Sequence, residues 1–267
     1  ALPNPVPCHE GVLMAIDNSK PSVGRIYDYV LGGHHNFEVD REAARQILKA
    51  APSYPTWARL NRWFLQMIGG RWAAEAQRNI LDLGSGLPTQ GHFHECAPDS
   101  LVLYTDYDPM TVAYAREVLE GNPSTSYLQA DARDITTILA AADQFFGGQR
   151  KIAVGCIGVA YFVDDADLAR IMQELHDWAA PGSVMALSFG YIDMTNPRAP
   201  EMLDMYKRNA TTIYIRDEVQ MRQLVAPWQM QECRPLAAWL EVEHLVQESD
   251  REGVNGEMYG VLLTRGG

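Results

Sequence analysis

The segment Asn79-Ile80-Leu81-Asp82-Leu83-Gly84-Ser85-Gly86 most constrains what this chain can fold into. A short apolar run ends at two glycines one residue apart, which predicts a buried strand stopping at a tight turn. Four more runs of the same kind follow, at Leu101 to Thr105, Ser126 to Gln129, Ile152 to Ile157 and Val184 to Phe189. Helical stretches separate them. Thr111 to Glu120 is stopped by Gly121-Asn122-Pro123, Asp134 reads as the cap of a helix, and Asp165 to Ala179 is ended by Pro181-Gly182. This alternation predicts βαβ units and a mostly parallel sheet. Arg216 to Val225 reads as a late helix. Trp228 to Glu232 and Met258 to Thr264 read as two last strands pairing as an antiparallel edge. Upstream lie three helical stretches, Pro21 to Leu31, Asp40 to Ala50 and Trp57 to Ala76, with Gly32-Gly33 as a joint after the first. The expected organisation is a helical N-terminal cap or lid over residues 1–76 and a Rossmann-like α/β domain over residues 77–267.

Open parallel sheets bind ligands beyond the C-terminal ends of their strands. The loop spacing here is Gly84-x-Gly86-x-x-Thr89. A dinucleotide site wants glycine or alanine at that third place, and Thr89 after Pro88 fits poorly. Asp82 would repel a pyrophosphate but can attract, directly or through water, the ammonium of a ligand that carries an amino acid. Asp106 ends the second strand about 20 residues after the glycines, where a carboxylate accepts hydrogen bonds from both ribose hydroxyls. Asp108, before Pro109, reads instead as a helix N-cap. Asp131, after the third strand, can accept a hydrogen bond from an adenine amino group. Three such elements in order at three successive strand ends point to S-adenosylmethionine (SAM). Gly84, Ser85 and Gly86, with Tyr107, Ala132 and Ile157 at the strand ends, complete the expected lining.

The order Leu-Asp-Leu-Gly-Ser-Gly, Asp106, Asp131 resembles class I SAM-dependent methyltransferases. Pro21-Ser22-Val23-x-Arg25-Ile26-Tyr27-Asp28-Tyr29-Val30-Leu31-Gly32-Gly33-His34-His35-Asn36-Phe37 resembles the N-terminal signature of a bacterial, actinobacteria-rich family named S-adenosyl methyltransferase. Asp82-x-Gly84-x-Gly86-Leu87-Pro88-Thr89 with His94-Glu95 is similar to its second signature, and the resemblance spans about residues 21–265. It implies SAM as cofactor and a seven-stranded, mostly parallel sheet with an antiparallel edge strand and a helical N-terminal cap. Relatives commonly carry histidine after the fourth strand where this chain has Tyr161, and a polar residue where it has Phe189. A histidine base is therefore not expected here.

Tyr161 is the first candidate for the reacting centre and Tyr27 the second. The signature segment is expected to close over the methionyl end of SAM, with Gly33 at the joint and Arg25 or Arg62 pairing the carboxylate. Aromatic side chains among Tyr191, Tyr206, Tyr214 and the six tryptophans are candidates for core or for a pocket that steadies a sulfonium. Methyl transfer to a small molecule is the leading expectation. The rivals are cyclisation of SAM's own amino-acid moiety with release of methylthioadenosine, and SAM binding without catalysis. An NAD-dependent oxidoreductase ranks last, because of Thr89.

The bulk composition excludes other classes. Neutralising phosphates takes clustered Lys and Arg, whereas the formal net charge is −12 and no basic block occurs, so no nucleic-acid partner is expected. No apolar run reaches the roughly 20 residues of a membrane helix, and residues 1–10 do not read as a signal peptide. A cytoplasmic location is the expectation. Cys8, Cys96, Cys156 and Cys233 show no zinc spacing. Adjacent His34-His35, and His92 and His94 two residues apart, are poorly disposed as ligands, so no metal is expected. There is no G-x-S-x-G elbow for a serine hydrolase.

Overall fold

The computed structural model describes residues 19–88, 91–209, 212–251 and 253–266. Cys8 and Thr89 lie outside them, as does the side chain of Tyr206. Three helices come first, α1 Val23–Val30, α2 Glu38–Ala50 and α3 Tyr54–Ala74. Then follow β1 Asn79–Asp82, α4 Phe93–Cys96, β2 Leu101–Asp106, α5 Pro109–Val118, β3 Thr125–Gln129, α6 Ile135–Phe145, β4 Ala153–Cys156, α7 Asp165–Trp178 and β5 Val184–Tyr191. The chain ends in α8 Ala199–Asn209, α9 Glu218–Leu224, β6 Gln229–Pro235, α10 Leu236–Trp239 and β7 Glu257–Thr264.

The seven strands form one sheet in the order β3-β2-β1-β4-β5-β7-β6. The first five are parallel to one another, and β7 runs antiparallel to both β5 and β6. The last two strands do pair antiparallel, but the reversed strand β7 sits one place in from the edge that β6 forms. The reason lies in length and pattern. β7 is eight residues long with a buried stretch at Gly260 to Leu263, so it suits an interior place. β6 alternates exposed and partly buried residues, as an edge strand covered on one face does.

Side chains alternate across the sheet with a period of two. Ile80, Val102, Ala153 and Ala186 enter one core, with Leu60, Phe64, Ile68 and Trp72 of α3. Leu81, Leu103, Val154 and Leu187 enter the other, with α6 and α7. Coverage on both faces explains why the parallel strands are near-continuous apolar runs rather than alternating ones. α3 therefore shares the main core with the sheet. α1 and α2 have a small core of their own, Ile26, Ala43, Ala44 and Ile47. Asp108 caps α5 by accepting from the Met110 N–H, and Asp134 caps α6 through Thr137, both as their positions before helical runs predict. α8, not foreseen in the sequence, packs on α2.

Candidate functional site

The loop after β1 is pinned to the end of β2 by its own backbone. Ser85 N–H donates to Thr105 O (2.7 Å), and Gly86 N–H donates to the Asp106 carboxylate (3.0 Å). The Tyr127 hydroxyl donates to Gly86 O (2.6 Å). Gly84 has φ +58° and passes so close to Val159 that a Cβ would meet its methyl at 2.6 Å. Glycine is required there on both counts.

This loop borders a cavity of about 810 Å³ at the C-terminal ends of β1 to β4, with α1 and α3 on its other side. Its size is that of a cofactor-plus-ligand site. Of the residues expected from sequence, Tyr27, Gly33, Gly84, Ser85, Gly86, Asp106, Tyr107, Asp131, Ala132, Ile157 and Tyr161 all line it. Asp82 lies buried at the end of β1, two residues before the first lining glycine, and does not line the cavity itself. Its Oδ2 has no partner among the described residues.

Arg25 requires a correction. It does not line the cavity, and its guanidinium is spent elsewhere. Nε donates to Asp40 (2.8 Å), one Nη to Asp108 (2.8 Å) and the other Nη to Lys20 O (2.7 Å). Freeing it for a carboxylate would leave two buried acids unpaired. Of the two arginines expected to meet a carboxylate, Arg62 is the one in the cavity. One of its nitrogens contacts Nε2 of the buried His92, and its guanidinium stands over the Tyr27 ring at 5.7 Å. Arginine can only donate, so His92 Nε2 must accept and the ring proton sits on Nδ1. Burial and the Arg62 charge keep this imidazole neutral by pushing its pKa well down.

Phe189 also requires a correction. β5 runs on to Tyr191, so Phe189 is mid-strand, fully buried and stacked on Tyr259 at 5.3 Å between centroids. The polar group of β5 on the cavity side is Ser188. Its hydroxyl donates to Asn61 Oδ1 (2.6 Å) and accepts from Gly158 N–H (2.9 Å). Asn61, Ser188 and the Arg62–His92 contact were not foreseen. The available signal was the polar pair Asn61-Arg62 inside the apolar run of α3.

The electrostatics divide along the cavity. Burial pushes the Asp82 carboxyl up to about 7, with Asp106 adding to it and Ser85 and Arg62 opposing. Burial likewise raises Asp106 to about 6, against the stabilising N–H donors of Asp108 and Gly86. Asp131 is half-buried and held low by hydrogen bonds from Arg133, which grips both its oxygens. The Tyr27 hydroxyl donates to Ala58 O (2.8 Å), and burial raises its pKa, so it stays protonated. The backbone of Tyr161 accepts from Tyr214 N–H (2.8 Å), which fixes its place after β4. His34 and His35 also line the cavity, the His35 ring edge-on to Tyr114, whereas His94 Nδ1 meets the Tyr104 hydroxyl at 2.8 Å. Among the described residues no group of three or more His, Cys, Asp or Glu side chains is placed to hold a metal, and no helix is long and apolar enough to cross a membrane.

These residues fit SAM. A cavity cation suits an amino acid's carboxylate, the unpartnered Asp82 oxygen behind the glycine loop suits its ammonium through water, and a fixed carboxylate at the end of β2 suits a ribose. The comparisons agree. The family model described as S-adenosyl methyltransferase matches residues 10–251. No curated protein matches the chain. Among solved structures, a candidate methyltransferase from Thermobifida fusca YX is similar at TM-score 0.83 and 27% identity, over 94% of this chain and 97% of that one. A DUF574 family protein from Streptomyces avermitilis MA-4680 is similar at TM-score 0.79 and 25% identity, over 93% and 99%. Magnesium protoporphyrin IX methyltransferase from Synechocystis PCC 6803, solved with bound SAM, shares the fold at TM-score 0.53 and 12% identity, over 90% and 89%. On the family match and the geometry together, this chain belongs to the S-adenosyl methyltransferase family, whose cofactor is SAM.

Proposed function

We propose that the protein methylates a small-molecule acceptor held next to the cofactor in the same cavity. One observation carries the reading. Tyr27, Tyr54, Asn61, Tyr161 and Phe162, which line the cavity and a second pocket beside it, are all uncharged and four of them are aromatic. Such a junction suits the alignment of two small reactants away from water, and its aromatic faces attract a sulfonium. It offers nothing to a polyanion, in keeping with the chain's net charge of −12.

SAM, when bound, supplies a methyl group activated by a positively charged sulfur. The chain's own groups then do the following. Arg62, steadied by His92, would pair the cofactor's carboxylate. Asp82 would draw its ammonium, directly or through water. Asp106 would accept from the ribose hydroxyls, and Asp131 from the adenine amino group. Asn61, locked to Ser188 and through it to Gly158 N–H, keeps the junction rigid. Tyr161, on the cavity wall after β4, is the candidate to receive or relay an acceptor proton. α1 and the Gly32-Gly33 turn, which wall the cavity, act as its lid.

The by-product tests this reading. S-adenosylhomocysteine forming only when an acceptor is added is the expected result. Methylthioadenosine from SAM alone would replace methyl transfer with cyclisation, and SAM binding with no product across a broad metabolite screen would leave a sensor. Tyr161→Phe, once an acceptor is in hand, should lower turnover by about 100-fold or more if the phenol moves the proton. Unchanged turnover removes it from that role.

A further inference from the structure

The second pocket has a size and a chemistry of its own. Its volume is about 130 Å³. Beyond the five residues it shares with the cofactor cavity, it is bounded by Gly190 at the end of β5, Met202 of α8, Ile215 and Met258. Three charged side chains also border it, Asp250, Arg251 and Glu257. Each has a partner within the protein. Arg251 donates to Glu257 at 2.7 Å, and Asp250 accepts from Thr56 (3.2 Å) and from Gln247 N–H (2.9 Å). The pocket therefore presents apolar and aromatic walls with its charges already satisfied.

Size narrows the occupant. A dry apolar cavity of about 150 Å³ binds one benzene molecule, so this pocket holds about one six-membered ring. Glycine at position 190 keeps that space open. A Cβ built there would stand 3.5 Å from Met258 Sδ and 3.6 Å from Ile215 Cδ1, in ordinary contact with two pocket walls. Larger side chains at 190 therefore project between those walls. Nothing in the backbone demands glycine at this position, where no left-handed φ occurs.

We propose that this pocket is the acceptor's recognition subsite and takes one planar, uncharged ring, with the ring's nucleophilic substituent at the five shared residues. Calling the occupant the acceptor rests on the methyltransferase reading above. The ring specificity rests on the pocket alone.

The test uses the full chain saturated with S-adenosylhomocysteine and titrated with small probes by ligand-observed NMR. Phenol and aniline are expected to bind. Benzoate should bind at least about tenfold more weakly, because a buried unpaired carboxylate is penalised. Gly190→Val should weaken phenol by about tenfold or more, the scale of one or two misplaced methyl groups, while S-adenosylhomocysteine affinity stays within about twofold. Met202→Ala, which enlarges the pocket from α8, should shift the preference from phenol toward 1-naphthol, and this arm decides the matter if Gly190→Val does not fold. Two results overturn the proposal: benzoate binding as well as phenol, or phenol affinity indifferent to both substitutions. Failure of the wild-type chain to bind S-adenosylhomocysteine would instead overturn the cofactor reading, and the phenol titration without it would still judge the ring subsite.

Discussion

Two arginines lie on neighbouring N-terminal helices, and their surroundings differ in kind. Around Arg25 every charged group has its hydrogen bonds. Asp40 takes its Nε and also accepts from the backbones of Ser22 and Phe37, while Asp108 takes an Nη, caps Met110 and accepts from Thr111. Around Arg62 the matching is incomplete. Asp82 Oδ2 is buried without a partner among the described residues, and the Asp82 carboxyl is pushed up to about 7. A satisfied buried network holds structure together, whereas an unsatisfied one keeps capacity for something that arrives later. The first cluster ties α1 and α2 to the start of α5, and the second leaves a buried carboxylate oxygen open to a further partner.

That contrast can be broken, beginning where the effect is largest. Arg25→Ala should lower unfolding stability by about 3–5 kcal/mol, because it strands two buried carboxylates; urea denaturation measures it. A loss below about 1 kcal/mol would mean that the cluster holds little. Arg62→Ala should cost less stability, about 1–2 kcal/mol for the buried His92 acceptor it leaves without a donor, and weaken SAM binding by about 10- to 100-fold, the worth of a charged hydrogen bond. Calorimetry with both variants should therefore show the two arginines exchanging phenotypes. The smallest effect is a pH dependence. With its folded pKa near 7, Asp82 keeps its proton where the unfolded carboxyl has already lost it, so its contribution makes stability fall as pH rises from about 4 to 7 and then level. Attraction of an ammonium needs the ionised form, so SAM affinity should climb by a few-fold between about pH 6 and 8. Asp82→Asn should flatten that rise and raise the unfolding midpoint of the ligand-free protein at pH 8. A slope unchanged by this substitution would assign the titration to another group, with Asp106 next.

Much of the fold was legible because it rests on local signals. The Gly84-Ser85-Gly86 turn, the caps at Asp108 and Asp134 and the apolar strands each carry their own physics in a few residues, and eleven expected site residues do reach one cavity. What was illegible depends on partners far away in sequence. Arg25 and Arg62 look alike on their helices until Asp108, 83 residues on, claims the first. Ser188 and Phe189 are adjacent, and only the extension of β5 to Tyr191 decides which of them meets Asn61, 127 residues away. The inward place of β7 is a matter of strand order, which pairing propensity does not encode.

The link between Arg25 and Asp108 also bears on how such proteins can be recombined. Asp108 stands two residues after Asp106, donates its N–H to the Asp106 carboxylate and caps α5, so one side chain ties α1 to the turn beside the ribose position. The N-terminal helices are thus keyed to the sheet here by charge, beside the core that α3 shares with it and the Asn61–Ser188 bond. A chimera that grafts residues 21–74 from a relative with different charge at the key would carry a mismatched tooth, however well its helices folded. Transplanting these helices between members of the family therefore means moving position 108 together with them.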